Sequence, residues 1–125
     1  ASDMNNLLAV ISEVMAENGI NYQYGDYRGK VRYPYVVGEY NETYFAFEDN
    51  HSSGYLTLHA WSRGEGARLQ LTQLADTIKA ACDDLQVVRD GECFHVFYNT
   101  MQWIPTGDDD LDRIDVSLLT NIWKG

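Results

Sequence analysis

Two cysteines and two of the histidines could together bind zinc. Cys93 and His95 are two residues apart in a stretch that reads as a strand, so their side chains share one face, and Cys82 and His59 would complete a tetrahedral set. The spacing matches no zinc finger or ribbon, and the four residues come from different predicted elements. A small buried thiol beside a half-exposed imidazole is the better interpretation. We predict no metal site and no cofactor.

A second group with chemical potential is a run of five aspartates close to one another in the last quarter of the chain: Asp108, Asp109, Asp110, Asp112 and Asp115. Carboxylates at alternate positions are typical of calcium loops. An EF-hand that begins at the first of them would need glycine and glutamate where this sequence has Arg113 and Leu119. The run therefore predicts a solvated acidic loop, with a weak ion site completed by a partner as the alternative.

No sequence motif of a known enzyme class is present. The chain lacks GxSxG, HExxH, Walker and dinucleotide-binding patterns. Gly64-Glu65-Gly66 before a helix is similar to an anion-binding loop, but Glu65 would repel a phosphate, and a flexible hinge explains it better. Glu39 and Glu42 could act as acid and base only if they shared a pocket, which nothing in the sequence indicates. We expect no enzymatic activity.

The element that would position such groups is clearest in residues 55–85. Apolar and polar residues alternate from Tyr55 to Trp61, which predicts a strand with two different faces, and core packing is favoured for Trp61. After a hinge at residues 62–66, apolar residues recur every three or four positions, which predicts an amphipathic helix over residues 67–85.

The rest of the chain adds one helix and several strands. Residues 5–18 carry one apolar stripe and predict the first helix, with Gly19 as its stop signal. Residues 21–32 predict an exposed loop or an irregular hairpin. Strands are predicted at residues 33–37, with Gly38 as a bulge, and at 43–47, 87–88, 93–101 and 111–123; residues 48–54 predict a turn, Asp90-Gly91 a hairpin turn, and residues 105–110 a loop. Short links favour antiparallel pairing. We predict one α+β domain over residues 1–125: a mostly antiparallel sheet of four to six strands with two helices packed on one face.

Composition excludes some classes of partner. Nine basic and nineteen acidic residues give a formal charge of −10, which argues against binding to nucleic acid or to an anionic membrane. No apolar run approaches the roughly 20 residues of a membrane span. Two cysteines are too few for a disulfide framework, so we expect reduced thiols, with one disulfide as the alternative.

Tyrosine is unusually frequent, with nine residues of 125, five of them within residues 22–35. Tyrosine is favoured at protein interfaces because it buries a large area and keeps a polar end. Packing back onto the sheet is the alternative. The candidate interface residues are Tyr22, Tyr24, Tyr27, Arg28, Lys30, Glu42 and Tyr44.

Taken together, several segments resemble the small tail-terminator and tail-completion (head-to-tail joining) proteins of long-tailed bacteriophages and prophages. The segments are the N-terminal amphipathic helix, YPYVVGEY, LTLHAWSR, the helix LTQLADTIKAACDDL, and FHVFYNTMQWIPTGDDDLDRIDVSLLTNIW. The resemblance covers about nine tenths of the chain, and its patterns are loose because they are largely those of a core. It is weakest in residues 41–53 and in the tyrosine-rich loop.

The resemblance implies a non-enzymatic structural protein that caps the tail tube as a ring, usually a hexamer, and joins the tail to the head. Its expected partners are other copies of itself, the tail-tube protein and a head-completion or connector protein. The expected location is the virion, with the host cytoplasm as the site of assembly. Such a ring needs a heterologous interface, to which an edge strand or the tyrosine-rich loop could contribute. Asp108, Asp109, Asp110 and Asp112 are the candidate residues of an acidic lumen that repels DNA.

Two other classes of protein fit the sequence. One is a small cytoplasmic module that binds a ligand or peptide with the tyrosine-rich loop. The other is an enzyme with an acidic site, which a concave pocket with perturbed carboxylates would favour.

Overall fold

The computed structural model describes residues 3–46 and 51–124, and in these residues two helices and six strands form one sheet-and-helix unit. The elements are α1 (Asp3–Glu17), β1 (Tyr22–Tyr24), β2 (Tyr35–Ala46), β3 (His51–Arg63), α2 (Ala67–Cys82), β4 (Leu85–Arg89), β5 (Glu92–Ile104) and β6 (Leu111–Lys124). The strand order is β1-β2-β3-β6-β5-β4. Among the strands that the structure describes, β1 and β2 are the only neighbours that pair in parallel. The predicted α+β fold class is confirmed.

The core lies between the two helices and one face of the sheet. In β3, residues at even positions are buried and residues at odd positions are partly exposed, as the alternation from Tyr55 to Trp61 predicts. Helix α2 buries one stripe at three- and four-residue spacing. The largest fully buried side chains come from both helices and from four strands: Leu7, Ile11, Met15, Val36, Leu56, Leu58, Leu71, Ile78, Phe94, Ile114, Leu118 and Ile122.

The second strand differs from the prediction. The two short strands expected at residues 33–37 and 43–47 are one continuous strand, β2, and the irregularity in its pairing lies between Glu42 and Tyr44 rather than at Gly38. Gly38 is required for a different reason. A β-carbon at this position would lie 2.3 Å from the Tyr22 hydroxyl oxygen, so only glycine leaves room for the Tyr22 ring.

Other boundaries also differ. Residues 51–54, predicted as part of a turn, belong to β3. Residues 48–50 of that predicted turn, and residue 47 at the end of the predicted strand before it, lie outside the described residues. Tyr22–Tyr24, predicted as loop, pairs with β2 as a short edge strand. Helix α2 ends at Cys82, three residues early, because Asp83 is extended and Asp84 has a positive φ of 56°. The hairpin turn at Asp90-Gly91 is confirmed, with positive φ at both residues.

Candidate functional site

Arg63 connects the two loops that the sequence singles out. It is the last residue of β3, and its guanidinium lies 5.9 Å from the centre of the Tyr33 ring, at the end of the tyrosine-rich segment. The same guanidinium contacts the carboxylates of Asp108 at 3.1 Å and Asp110 at 3.5 Å. The backbone N–H of Gly64 also donates to the Asp110 carbonyl oxygen. The tyrosine-rich loop and the acidic loop therefore lie at the same end of the sheet, and Arg63 contacts both of them.

The acidic loop is ordered by its own carboxylates. Asp108 accepts hydrogen bonds from the Asp110 backbone N–H and from Arg63, which together hold the pKa of the Asp108 carboxyl below its usual range. Asp112 lies in β6 and is 3.6 Å from Arg68 of α2. Asp109 is exposed and has no ion-pair partner among the described residues.

A groove of about 720 Å³ lies beside this loop, on the side of the sheet that carries the helices. It is lined by the start of α2, the end of β5 and the acidic loop. Arg68 covers the ring of Trp103 at 5.1 Å. The groove therefore combines an aromatic wall with carboxylates, but most of these carboxylates form ion pairs with arginines.

The tyrosine-rich residues divide into two groups. Tyr22 packs against the core, and Tyr24 accepts a hydrogen bond from the backbone N–H of Tyr40. Tyr27 donates to the Lys30 carbonyl oxygen and contacts the Tyr35 ring, with 4.6 Å between ring centres. The first two support the edge of the sheet, whereas Tyr27 shapes the loop.

The remaining candidate interface residues are spread over that loop and β2. Arg28 and Lys30 are exposed, and neither has an ion-pair partner in the part of the chain that the structure describes. Glu42 is exposed on β2, and the Tyr44 backbone pairs with Ser53.

The face of the sheet that points away from the helices, here called the open face, carries many aromatic side chains. Trp61 lies on this face, half-buried, and not in the core as predicted, because the alternation of β3 turns it away from the helices. Its ring stacks on Tyr35 at 5.0 Å, and Arg113 lies 5.0 Å from its centre. The alternation puts Trp61 on the same face as Tyr55 and His59, but it does not show that the helices leave this face uncovered.

A polar cluster around His59 lies next to Trp61 on the open face. The Nε2 atom of His59 is 3.1 Å from a Glu39 carboxylate oxygen. The Nδ1 atom of His59 is 2.9 Å from an Asp115 carboxylate oxygen and 3.0 Å from an Arg113 guanidinium nitrogen. Nδ1 either donates to Asp115 or accepts from Arg113, so these two contacts alternate with the tautomer. The cluster contains no nucleophile, and charge pairing is the chemistry that it supports.

The residues considered for zinc are not brought together. Cys82 is buried in the core, on the helix side of the sheet. Cys93 and His95 lie on the open face, on the other side of the sheet. Residues 3–46 and 51–124 contain no group of three or more His, Cys, Asp or Glu side chains arranged to hold a metal ion. Within the same residues, neither helix has the length and apolar character needed to cross a membrane.

The sheet has two partly uncovered edges, which the sequence did not reveal. Strand β1 covers only residues 36–38 of β2, and β4 covers only residues 92–96 of β5. In the described part of the chain, residues 39–46 of β2 and residues 97–104 of β5 therefore have a paired strand on one side only. Side chains of the same chain accept from one backbone N–H on each of these segments: Tyr24 from Tyr40, and Asp83 from Tyr98. Long edges without a neighbouring strand can pair with another chain.

Comparisons with known proteins give a fold and no family. No protein-family model matches the chain, and no curated protein matches it in sequence. A solved structure known only by a serial designation is similar to 91% of this chain and 87% of its own, with a TM-score of 0.65 and 14% sequence identity. At that identity the similarity shows a shared fold alone.

Proposed function

We propose that this protein is a non-enzymatic structural protein whose copies join edge to edge into a ring, as the resemblance to tail-terminator and tail-completion proteins implies. The observation that supports this proposal is that the sheet has an uncovered segment at each of its two lateral edges. These segments are residues 39–46 and residues 97–104. A heterologous contact between two different edges repeats around a ring until it closes.

The strand directions favour this contact. Going across the sheet from β2 through β3 and β6 to β5, every pairing is antiparallel, so β2 and β5 run in opposite directions. A neighbouring copy that adds its β2 beside β5 would continue the antiparallel pattern. Its helices would lie on the same side of the extended sheet.

The two uncovered segments lie at different heights in the sheet. Through β3 and β6, Met101 of β5 is level with Gly38 of β2, whereas the middle of the uncovered segment of β2 is near Glu42. Full pairing between copies therefore needs a stagger of about four residues, roughly 13 Å along the strands. Closed sheets require such a stagger. With it, the short strands β1 and β4 of adjacent copies do not collide.

The same stagger would bring charged loops of opposite sign together. The loop of residues 25–34 on one copy would lie beside residues 105–110 of its neighbour. Arg28 and Lys30 on the first loop and Asp109 on the second are exposed, and none has an ion-pair partner among the described residues. Complementary charges of this kind fix the register of an interface more than they strengthen it.

In the proposed role, the ring caps the tail tube at the junction with the head, and it is assembled in the host cytoplasm. Its partners are the tail-tube protein and a head-completion or connector protein. The acidic lumen stays a prediction, and Arg63 and Arg68 offset part of its charge.

Replacing Glu42 tests the edge contact. The Tyr40 backbone N–H points away from β3, toward Tyr24, so by strand alternation the N–H of Glu42 also points outward. Glu42→Pro removes that donor and keeps the ladder to β3, while Glu42→Ala keeps the donor. Negative-stain electron microscopy at high protein concentration should show rings for the wild type and for Glu42→Ala, and none for Glu42→Pro. Equal assembly of both variants would contradict the edge contact.

Charge reversal tests the register. Arg28→Asp and Asp109→Arg should each weaken ring formation, and the two changes together should restore part of it. Absence of any restoration in the double variant would show that these loops do not meet.

A further inference from the structure

We infer that a pocket between α1 and α2, here called the amide pocket, binds a small organic carboxylate with an apolar body, and that Arg32 holds the carboxylate group. This inference does not depend on the ring, because no residue that lines the pocket belongs to the uncovered segments of β2 and β5.

The amide pocket has the size and the lining of a small-molecule site. Its volume is about 380 Å³, and it lies between the end of α1, the residues just before β2, and α2. Cavities that bind small molecules measure about 300–1,000 Å³. Four amide side chains line the pocket: Asn18, Asn21, Gln70 and Gln73. Apolar surface comes from Ile20, Pro34 and Leu74. The pocket therefore suits a molecule with one apolar and one polar part.

The charge of the amide pocket differs from that of the chain as a whole. The sequence has nineteen acidic residues, and none of those that the structure describes lines this pocket. The groove beside the acidic loop, in contrast, is lined by Asp108, Asp109 and Asp112. Of the described residues that line the amide pocket, Arg32 alone is charged. The net charge of the whole chain is screened beyond about 8 Å at physiological ionic strength, so the local charge favours an anionic group.

Arg32 has hydrogen-bonding capacity left for a ligand. It is exposed, and it forms no ion pair with any of residues 3–46 and 51–124. A hydrogen bond from Asn21 and the nearby positive charge of Arg32 lower the pKa of the Tyr27 hydroxyl. A guanidinium carries five N–H donors in a planar fork that fits a carboxylate with two parallel hydrogen bonds. One contact with a hydroxyl leaves such a pair of donors available.

The amides of α2 add further donors to the pocket. The buried Ser62 hydroxyl donates to Gln70 Oε1, so the Gln70 NH₂ group stays available, and the Gln73 side chain has no hydrogen-bond partner among the described residues. Carbonyl oxygens at the end of a helix carry partial negative charge, which would oppose an anion. Here the carbonyl oxygens of residues 14–16 already accept hydrogen bonds from the backbone N–H groups of residues 18–20.

N-acetyl-leucine is a suitable probe, because it joins a carboxylate and an amide to an apolar isobutyl group. In a ¹H–¹⁵N NMR titration of the full chain, the side-chain amide signals of Gln70 and Gln73 should shift and reach saturation. The uncharged N-acetyl-leucinamide should bind at least about ten-fold more weakly, as expected for the loss of a charge-assisted hydrogen bond.

Two arginines of the same loop separate the pocket from its surroundings. Arg32→Gln should raise the dissociation constant for N-acetyl-leucine at least about ten-fold and remove the preference for the acid over its amide. Arg28→Gln is the matched control, because Arg28 is also exposed and does not line the pocket; it should leave the affinity unchanged. Gln73→Ala should weaken binding less than Arg32→Gln does, because it removes an uncharged donor. All three replaced side chains are exposed, so these substitutions leave the fold intact.

Three results would overturn the inference. One is the absence of saturable shifts in the wild type with N-acetyl-leucine at up to about 50 mM, at which even a very weak site is partly occupied. The others are equal affinity for the acid and its amide, and equal effects of Arg32→Gln and Arg28→Gln. Glu42→Pro should abolish rings and leave the binding of N-acetyl-leucine unchanged, so failure of the pocket and failure of the ring are distinguishable.

Discussion

Replacing Tyr22 by phenylalanine is expected to leave the protein at least as stable as the wild type. The Tyr22 hydroxyl oxygen is buried and has no hydrogen-bond partner among the described residues. Its removal therefore breaks no hydrogen bond and relieves the desolvation of an unpaired hydroxyl, which costs about 1–3 kcal/mol in proteins. Because the lost oxygen leaves a small void, we expect the free energy of unfolding to rise by about 0–2 kcal/mol.

Gly38 lies on the other side of the contact with the Tyr22 hydroxyl. In Gly38→Ala, the new β-carbon would lie 2.3 Å from the Tyr22 hydroxyl oxygen and 3.0 Å from two ring carbons, so the ring must move. Overpacking of this kind costs about 1–3 kcal/mol. Without the hydroxyl the closest contact is eased, so the same alanine should cost less in the Tyr22→Phe background. The coupling free energy should be about 1 kcal/mol.

Urea denaturation of the wild type, the two single variants and the double variant, followed by circular dichroism, measures all of these quantities. A loss of more than about 1 kcal/mol in Tyr22→Phe would refute the reasoning, because it would mean that the hydroxyl is bonded, for example to a buried water. Strict additivity of the two substitutions would show that Gly38 and Tyr22 do not compete for space.

Four further outcomes follow from individual side chains. Ser62→Ala should destabilise the fold by about 1 kcal/mol in the same denaturation assay, because the fully buried Ser62 hydroxyl donates to Gln70. Arg63→Ala should speed hydrogen exchange in residues 25–34 and 105–110 together, since Arg63 contacts both loops; faster exchange in only one of them would contradict this. The pKa of the Asp108 carboxyl is lowered, so the order of the acidic loop should be present at neutral pH and lost as pH falls below the ordinary value of 3.8, seen as chemical-shift changes in residues 106–110. Burial raises the pKa of Tyr22, so stability should fall as pH rises above 10.0, and this fall should be smaller in Tyr22→Phe.

Much of the fold could be predicted from the sequence because it depends on local periodicity. The alternation in β3 and the helical spacing in α2 are properties of neighbouring residues, and the structure has both. The Asp90-Gly91 turn also follows from local backbone preference. The parallel strand at Tyr22–Tyr24 could not be found in this way, because its pairing with β2 is set by the Tyr22 ring beside Gly38.

The candidate site was less accessible to sequence reasoning. Composition distinguishes the two loops in the sequence, but their contact depends on Arg63, whose position at the end of β3 is set by the assembled sheet. The uncovered edges exist because β1 is shorter than its neighbour β2 and β4 is shorter than its neighbour β5. No local sequence pattern predicts these differences in strand length. Trp61 shows the same limit, because alternation gives its face and the fold alone decides what covers that face.

The most direct test of the ring is a disulfide between neighbouring copies at the proposed edge contact. With a stagger of four residues, Glu42 of one copy lies opposite Met101 of the next. Both positions face the helix side of the sheet, because Tyr40, two residues before Glu42, and Met101 both pack against the core. In a Cys93→Ser background, the double variant Glu42→Cys, Met101→Cys should give a ladder of covalent multimers on mild oxidation that ends at the closed ring, since facing strands place the Cα atoms within bonding range. Either single variant should give no ladder. Monomers only, or dimers without higher species in the double variant, would contradict edge-to-edge assembly.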